Sequence, residues 1–123
     1  MKFTLDAGGG VNLIRAYSAQ GIRIGDRLIA SSCIITADTV IAPWPPATLD
    51  ELTLGHLDPI FALRPELVLL GTGARQRFSS AEVRAAFGMQ RIGIESMDLG
   101  AACRTFNILV QEERRVAAAL FLT

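Results

Sequence analysis

A continuous apolar run from Leu67 to Leu70, followed by Gly71-Thr72-Gly73, is the feature that most constrains the fold. Strands with one face in water alternate apolar and polar residues, whereas a continuous apolar run is typical of a strand buried on both faces. A second such run, Val116 to Leu122, predicts another buried strand. The chain must therefore supply layers on both sides of a sheet.

Helix-start patterns lie between these runs. Thr48 followed by Glu51, and Ser79 followed by Glu82, fit the capping box, and Asp58-Pro59 is a typical start with proline in the first turn. Gly88 predicts the end of the second capped helix. The last helix, which Ser96 can cap, carries an apolar stripe at helical spacing. Its members are Leu99, Ala102, Phe106 and Leu109.

The N-terminal part is rich in predicted strands. After a flexible lead-in at residues 1–10, strands are predicted over Leu13–Ala19, around Ile22–Ile24, over Arg27–Ile35 and over Thr39–Ala42. Gly25-Asp26 predicts a two-residue hairpin turn. With a further strand at Arg91–Glu95, the element order predicts an α/β fold in which a β-hairpin region precedes a mixed sheet with packed helices.

Composition limits the classes of function. The 123 residues suit a single domain, residues 1–123, and half of them are hydrophobic. Twelve basic and twelve acidic residues give no net charge, which argues against nucleic-acid binding. Because little charge repulsion opposes self-association, a weak homodimer is compatible with this composition. Cys33 and Cys103 form no CxxC motif, and the N-terminus lacks the apolar run of a signal peptide, so we expect a cytoplasmic protein.

The strongest candidate for a ligand site is the turn at Gly71-Thr72-Gly73. A dinucleotide fingerprint requires a third glycine where Gln76 stands, and a P-loop requires Gly-Lys-Ser/Thr, so both motifs fail. The turn is either a tight strand end or an anion site built from its backbone N–H groups. In the second case Arg75 or Arg77, with Arg104 and Asn107 from the last helix, would complete the site.

Other residues carry weaker signals. His56 is the only histidine, so no metal cluster and no catalytic role is indicated. Buried, unreactive thiols are expected for Cys33 and Cys103, although a redox role would need only one reactive thiol. Trp44 lies between prolines and is a candidate partner-binding residue, with core packing as the favoured alternative.

Two blocks, PELVLLGTG at residues 65–73 and GIESMDLGAACRTFNILVQEERRVAAAL at residues 93–120, resemble a small single-domain family of unknown function. The family includes bacterial and archaeal proteins and the mitochondrial assembly factor 3 of respiratory complex I. The resemblance implies a three-layer α/β fold whose central mixed, mostly parallel sheet has its last strand antiparallel to the others. The matching motif positions are Gly71, Thr72, Gly73, Met97, Ala102, Arg104, Asn107 and Leu109. The family commonly has Thr and Tyr at the positions of Leu99 and Phe106. This chain lacks both hydroxyls, so a mechanism that needs either of them does not apply to it.

The resemblance implies no established reaction and no cofactor, and the mitochondrial member acts by binding proteins at the inner membrane without spanning it. The leading hypothesis is therefore a non-enzymatic assembly factor that binds another protein, with peripheral membrane association left open. The alternative is a domain that binds a small ligand or an anion, or a weak enzyme, with its site at Gly71-Thr72-Gly73. An apolar pocket with convergent polar groups would favour the alternative, whereas internal pairing of Arg104 and Asn107 would argue against it.

Overall fold

The fold was obtained as a computed structural model, which describes residues 10–123. The predicted lead-in therefore lies outside the described residues except for Gly10. The strands are β1 (Ile14–Ser18), β2 (Gly21–Ile24), β3 (Arg27–Ile29), β4 (Cys33–Ile35), β5 (Val40–Ile41), β6 (Leu67–Thr72), β7 (Gly93–Met97) and β8 (Val116–Phe121). The α-helices are α1 (Asp58–Ala62), α2 (Ala81–Met89) and α3 (Leu99–Gln111), and 3₁₀ turns span Leu49–Glu51 and Leu54–Leu57.

The strands form two sheets. β1, β2 and β3 make an antiparallel three-stranded sheet, in which Ile24 pairs with Arg27 across the predicted Gly25-Asp26 turn. The other five strands form a mixed sheet in the order β5-β4-β8-β6-β7. Every residue of β8 is buried, as are all residues of β6 except the half-buried Leu67. The two continuous apolar runs are therefore the central strands, as predicted.

The direction of β8 differs in part from the expectation. β8 runs antiparallel to β4 but parallel to β6, and β6 is parallel to β7. The prediction of a last strand antiparallel to all the others is therefore wrong for β6 and β7. The reason is α3, which returns the chain to the starting end of β7, so that the next strand in the same sheet must run the same way.

The five-stranded sheet separates two apolar clusters. Alternate residues of β6 and β8, such as Leu69 and Ala118, face α3 and the three-stranded sheet. Their neighbours, such as Val68 and Ala117, face α1, α2 and the 3₁₀ turns. A sheet buried on both faces between two covering layers is the three-layer α/β fold that was expected.

The predicted strand Arg27–Ile35 is in fact two strands in different sheets. β3 and β4 are separated by Ala30–Ser32, where the chain passes from the small sheet to the large one. Ser32 fixes this crossing, because its carbonyl accepts from the Trp44 amide at 2.9 Å. Its hydroxyl also donates to the carbonyl of Ala47 at 3.3 Å.

Several helix boundaries also differ from the predicted ones. Thr48 makes no side-chain cap, and the segment after it forms a 3₁₀ turn instead of a longer helix. The caps of α2 and α3 are Ser80 and Asp98, not Ser79 and Ser96, because their oxygens accept from the amides of Val83 and Ala101. Gly88 does not end α2, which continues to Met89 before Arg91 turns the chain with a φ of 58°.

Candidate functional site

The turn after β6 is held by the side chain of Thr72. Its hydroxyl lies 2.6 Å from the Arg75 carbonyl and 3.1 Å from the Met97 carbonyl, to which it can donate, and it accepts from the Arg77 amide at 3.0 Å. Only 4% of Thr72 is exposed. Since one buried hydroxyl joins both sides of the turn and the end of β7, Thr72 fixes the shape of the turn from within.

The two glycines allow close approach of neighbouring backbone. A Cβ atom on Gly71 would lie 2.8 Å from Cδ2 of Leu120 and 3.1 Å from Cβ of Ala102, so α3 packs directly on β6 there. Gly73 has a φ of 81°, and its Cβ would lie 2.5 Å from the carbonyl carbon of Thr123. The Gly73 carbonyl accepts from the Leu99 amide at 2.8 Å, which ties the turn to the start of α3.

Arg104 and Asn107 point toward β1. The Asn107 amide accepts from the Ile14 N–H at 2.8 Å and donates to the Ile14 carbonyl at 2.9 Å, as a neighbouring strand would. Arg104 donates to the Tyr17 hydroxyl at 2.6 Å. Both polar groups therefore join α3 to the three-stranded sheet, and such internal pairing argues against an anion site.

A shallow cleft of about 350 Å³ lies beside the turn. It is lined by Gly73 and Ala74 on one side and by Gly100, Arg104 and Tyr17 on the other. Of the predicted site residues it brings together only Gly73 and Arg104, whereas Gly71, Thr72, Arg75 and Asn107 do not line it. The ligand-binding role stays a prediction. Tyr17 was missed because nothing in the local sequence of β1 marks it as a neighbour of α3.

The second arginine after the turn has a partner of its own. Arg77 donates to Asp50 with an Nη2–Oδ1 distance of 2.5 Å, and both residues line a small cleft that also includes Phe78. This hydrogen bond, together with the positive charge, lowers the pKa of Asp50. Arg75, by contrast, is exposed and forms no salt bridge within the described residues.

Trp44 lies in the core. Only 2% of it is exposed, its ring stacks on Phe121 with centroids 5.1 Å apart, and its indole N–H donates to the His56 carbonyl at 3.0 Å. The favoured alternative of core packing fits this geometry, whereas a partner-binding anchor would need an exposed ring. The His56 ring accepts from the Thr53 amide at 3.0 Å and so stabilises the start of the second 3₁₀ turn.

Both thiols are buried among apolar side chains. Burial raises the pKa of Cys33 and of Cys103 to about 12, and in each case burial outweighs the opposing effect of a nearby arginine. A redox role needs an accessible thiol with a lowered pKa, which this environment does not provide. Within residues 10–123, no group of three His, Cys, Asp or Glu side chains is placed to hold a metal ion. Across the same residues, no helix is long and apolar enough to cross a bilayer.

Comparison with known proteins identifies the family. The model of a family described as protein of unknown function (DUF498/DUF598) matches residues 14–121. The chain belongs to this family. A Danio rerio relative, named NADH dehydrogenase [ubiquinone] 1 alpha subcomplex assembly factor 3, is 32% identical over 110 residues, which are 88% of this chain and 63% of the relative. The chain spans about 60% of the length of the assembly-factor relatives it matches.

Solved structures agree on the fold. A Xanthomonas campestris protein, XCC1710, superimposes with a TM-score of 0.83 at 36% identity, covering 98% of this chain and 86% of that one. A Bordetella pertussis protein, described as a Mth938-like domain, gives a TM-score of 0.81 at 27% identity and covers 98% and 92% of the two chains. The predicted family is therefore confirmed, and so is the predicted fold class apart from the direction of the last strand.

Proposed function

We propose that this chain is a non-enzymatic assembly factor that binds another protein, with a respiratory complex I subunit as its partner. The observation that carries the proposal is the alignment of 88% of the chain with a relative named as a complex I assembly factor. The family match, residues 14–121, includes the turn after β6 and helix α3. We place this role in the cytoplasm, with the partner reached at a membrane surface.

The engagement of the polar side chains supports a binding role over a catalytic one. Thr72, Asn107 and His56 each satisfy backbone groups of the chain itself. Catalytic side chains need a free donor or acceptor that faces a substrate. The Thr72 hydroxyl, the Asn107 amide and Nδ1 of His56 are occupied in positioning strands and turns, which favours a binding role.

The exposed face of α3 is the surface we assign to the partner. Arg104 and Ile108 are four residues apart and lie on the same side of the helix, and 56% of Ile108 is exposed. Tyr17 accepts from Arg104 and is 40% exposed. Tyrosine and arginine are enriched among the residues that dominate protein interfaces, and a single apolar neighbour adds area that binding would bury.

The test is capture of complex I subunits from a native extract. The tagged full chain is incubated with a gently solubilised extract of its host, and retained proteins are identified by mass spectrometry. The test variant carries Arg104→Glu and Ile108→Glu. The matched control carries Arg64→Glu and Leu54→Glu, one exposed arginine and one exposed leucine on the opposite side of the sheet.

We expect enrichment of complex I subunits with the wild type and the control, and its loss with the test variant. Equal enrichment with all three proteins would place the partner elsewhere on the molecule. Absence of complex I subunits from every sample, with normal complex I levels in a strain that lacks the gene, would contradict the proposed function. Fractionation of the same extract tests the cytoplasmic location.

A further inference from the structure

Strand β7 forms one edge of the five-stranded sheet. It pairs with β6 on its inner side, and no other strand within residues 10–123 pairs with its outer side. It is five residues long, Gly93–Met97, whereas the strand at the opposite edge, β5, has two. An exposed edge of this length is a template for another strand, because its outward peptide groups lack partners.

The hydrogen-bond phase of β7 identifies those outward groups. The Gly93 amide donates to the Glu66 carbonyl at 3.1 Å, so Gly93, Glu95 and Met97 bond inward to β6. The peptide groups of Ile94 and Ser96 then face outward. The Ser96 carbonyl already accepts from the Gln76 side chain at 3.3 Å, and the Ile92 amide already donates to the Phe87 carbonyl at 3.1 Å.

We propose that β7 is a self-association edge, at which a second copy of this chain adds its own β7 antiparallel, with Ile94 opposite Ile94. In this register the two Ile94 residues exchange both of their N–H···O bonds. Ile92 then faces Ser96 of the second copy, where the Ser96 amide donates to the Ile92 carbonyl. The Ile92 amide and the Ser96 carbonyl also meet at that position, but each already has a hydrogen-bond partner within its own chain. This register therefore pairs only the backbone groups that have no partner in the single chain.

Charge on the same edge is self-complementary. Arg91 lies in the turn just before β7 and Glu95 lies within the strand, on either side of Ile94, and both are exposed. Neither forms a salt bridge with any residue of the described chain. A two-fold axis at Ile94 brings the turn that carries Arg91 in each copy beside the C-terminal half of the other β7, which carries Glu95. Parallel addition of a second copy would not give this reciprocal arrangement.

The most exposed hydrophobic residues lie near the two ends of the same strand. Met89 ends α2, just before β7, and is 87% exposed, whereas Phe78 follows the turn beside the C-terminal end of β7 and is 73% exposed. Antiparallel pairing sets the N-terminal end of one β7 beside the C-terminal end of the other. In the paired arrangement the chain segment of Met89 in one copy would therefore lie near that of Phe78 in the other.

The expected dimer is weak. One added strand pair buries less than the roughly 1,200 Å² of a stable interface, so we expect a dissociation constant on the order of 10–100 µM. The first test is sedimentation equilibrium of the full chain over a concentration range of roughly 5 µM to 1 mM, which brackets that constant. We expect the mass to rise with concentration from 13.2 kDa toward twice that value.

Charge reversal tests the register. Arg91→Glu and Glu95→Arg should each weaken dimerisation about five-fold, because two symmetry-related pairs become repulsive. The double variant Arg91→Glu, Glu95→Arg restores opposite charges and should return to within about two-fold of the wild type. These side chains are exposed, so the folded monomer is kept in all three variants.

Amide hydrogen exchange supplies an independent measurement. At low concentration the Ile94 amide should exchange fast while that of Glu95, bonded to β6, is protected. At high concentration Ile94 should become protected too. A constant mass of one chain up to the highest concentration would overturn the proposal. So would a dimer in which the charge variants behave like wild type and the Ile94 amide stays unprotected.

Discussion

The two ends of β6 are stabilised in different ways. At its C-terminal end, buried neutral groups hold the turn, with the Thr72 hydroxyl and the Gly73 carbonyl bonded to backbone. Just before its N-terminal end, the exposed Glu66 carboxylate accepts from the Arg114 side chain at 3.3 Å and from the Arg115 amide at 3.0 Å. The first set of contacts depends on shape, whereas the second depends on charge.

This difference shows why a motif can be conspicuous in a sequence without being a binding site. Gly71-Thr72-Gly73 has the composition of an anion-binding loop, yet each of its residues has a packing or hydrogen-bonding role inside the fold. The exposed edge of β7, by contrast, carries no motif. Substitutions at the two ends of β6 should therefore differ in size and in their dependence on pH.

The largest effect is expected from Gly73→Ala. Alanine in the left-handed region costs about 1–2 kcal/mol, and the displacement of Thr123 by the new Cβ should bring the loss of unfolding free energy to about 3 kcal/mol. The matched control is Gly25→Ala, which has a φ of 58° but no atom within 4 Å of the new Cβ. Urea unfolding measures both, and equal losses would mean that the contact with Thr123 contributes nothing.

Thr72→Val should have a smaller effect. Valine keeps the shape but removes the hydroxyl, leaving the Arg77 amide and the Arg75 carbonyl without their partner, at a cost of about 1–2 kcal/mol. Thr72→Ser keeps the hydroxyl and serves as the control. The specific readout is exchange of the Arg77 amide, which should accelerate in the valine variant only. Protection of that amide in the valine variant would show that Thr72 does not hold the turn.

The two central strands, β6 and β8, could be predicted from the sequence because the patterns that indicate them are local. The apolar runs that became β6 and β8 indicate burial on both faces whatever their neighbours are. The break at Ala30–Ser32 was not predictable, since it depends on the amide of Trp44 reaching Ser32 from another part of the chain. A continuous extended stretch in the sequence does not show that it changes from one sheet to another.

The candidate site shows the same limit. The polar stripe on α3 predicts that Arg104 and Asn107 lie away from the apolar face of the helix. In the structure both side chains form hydrogen bonds with β1 instead of packing in that face. Their partners, Tyr17 and Ile14, lie more than 80 positions earlier in the chain, at separations of 87 and 93. Pairing over such separations is set by the packing of β1 on α3, and no local pattern indicates it.

The smallest effect is expected at the other end of β6, from Glu66→Gln. The hydrogen bond from Arg114, then that from the Arg115 amide, lowers the pKa of Glu66 in the folded state. A lowered pKa contributes stability above the unfolded value of about 4.3, and this contribution is lost as pH falls through the folded pKa. Wild type should therefore be more stable than the variant at neutral pH, and the difference should vanish in acid. It should also shrink in about 1 M salt, where the screening length is roughly 3 Å.

Unfolding free energies at a series of pH values measure this difference. Glu112→Gln is the control, because Glu112 is exposed and forms no salt bridge within the described residues. A difference that persisted unchanged into acid would mean that Glu66 acts through packing, as Thr72 and Gly73 do. In that case the two ends of β6 would not differ in the way their contacts indicate.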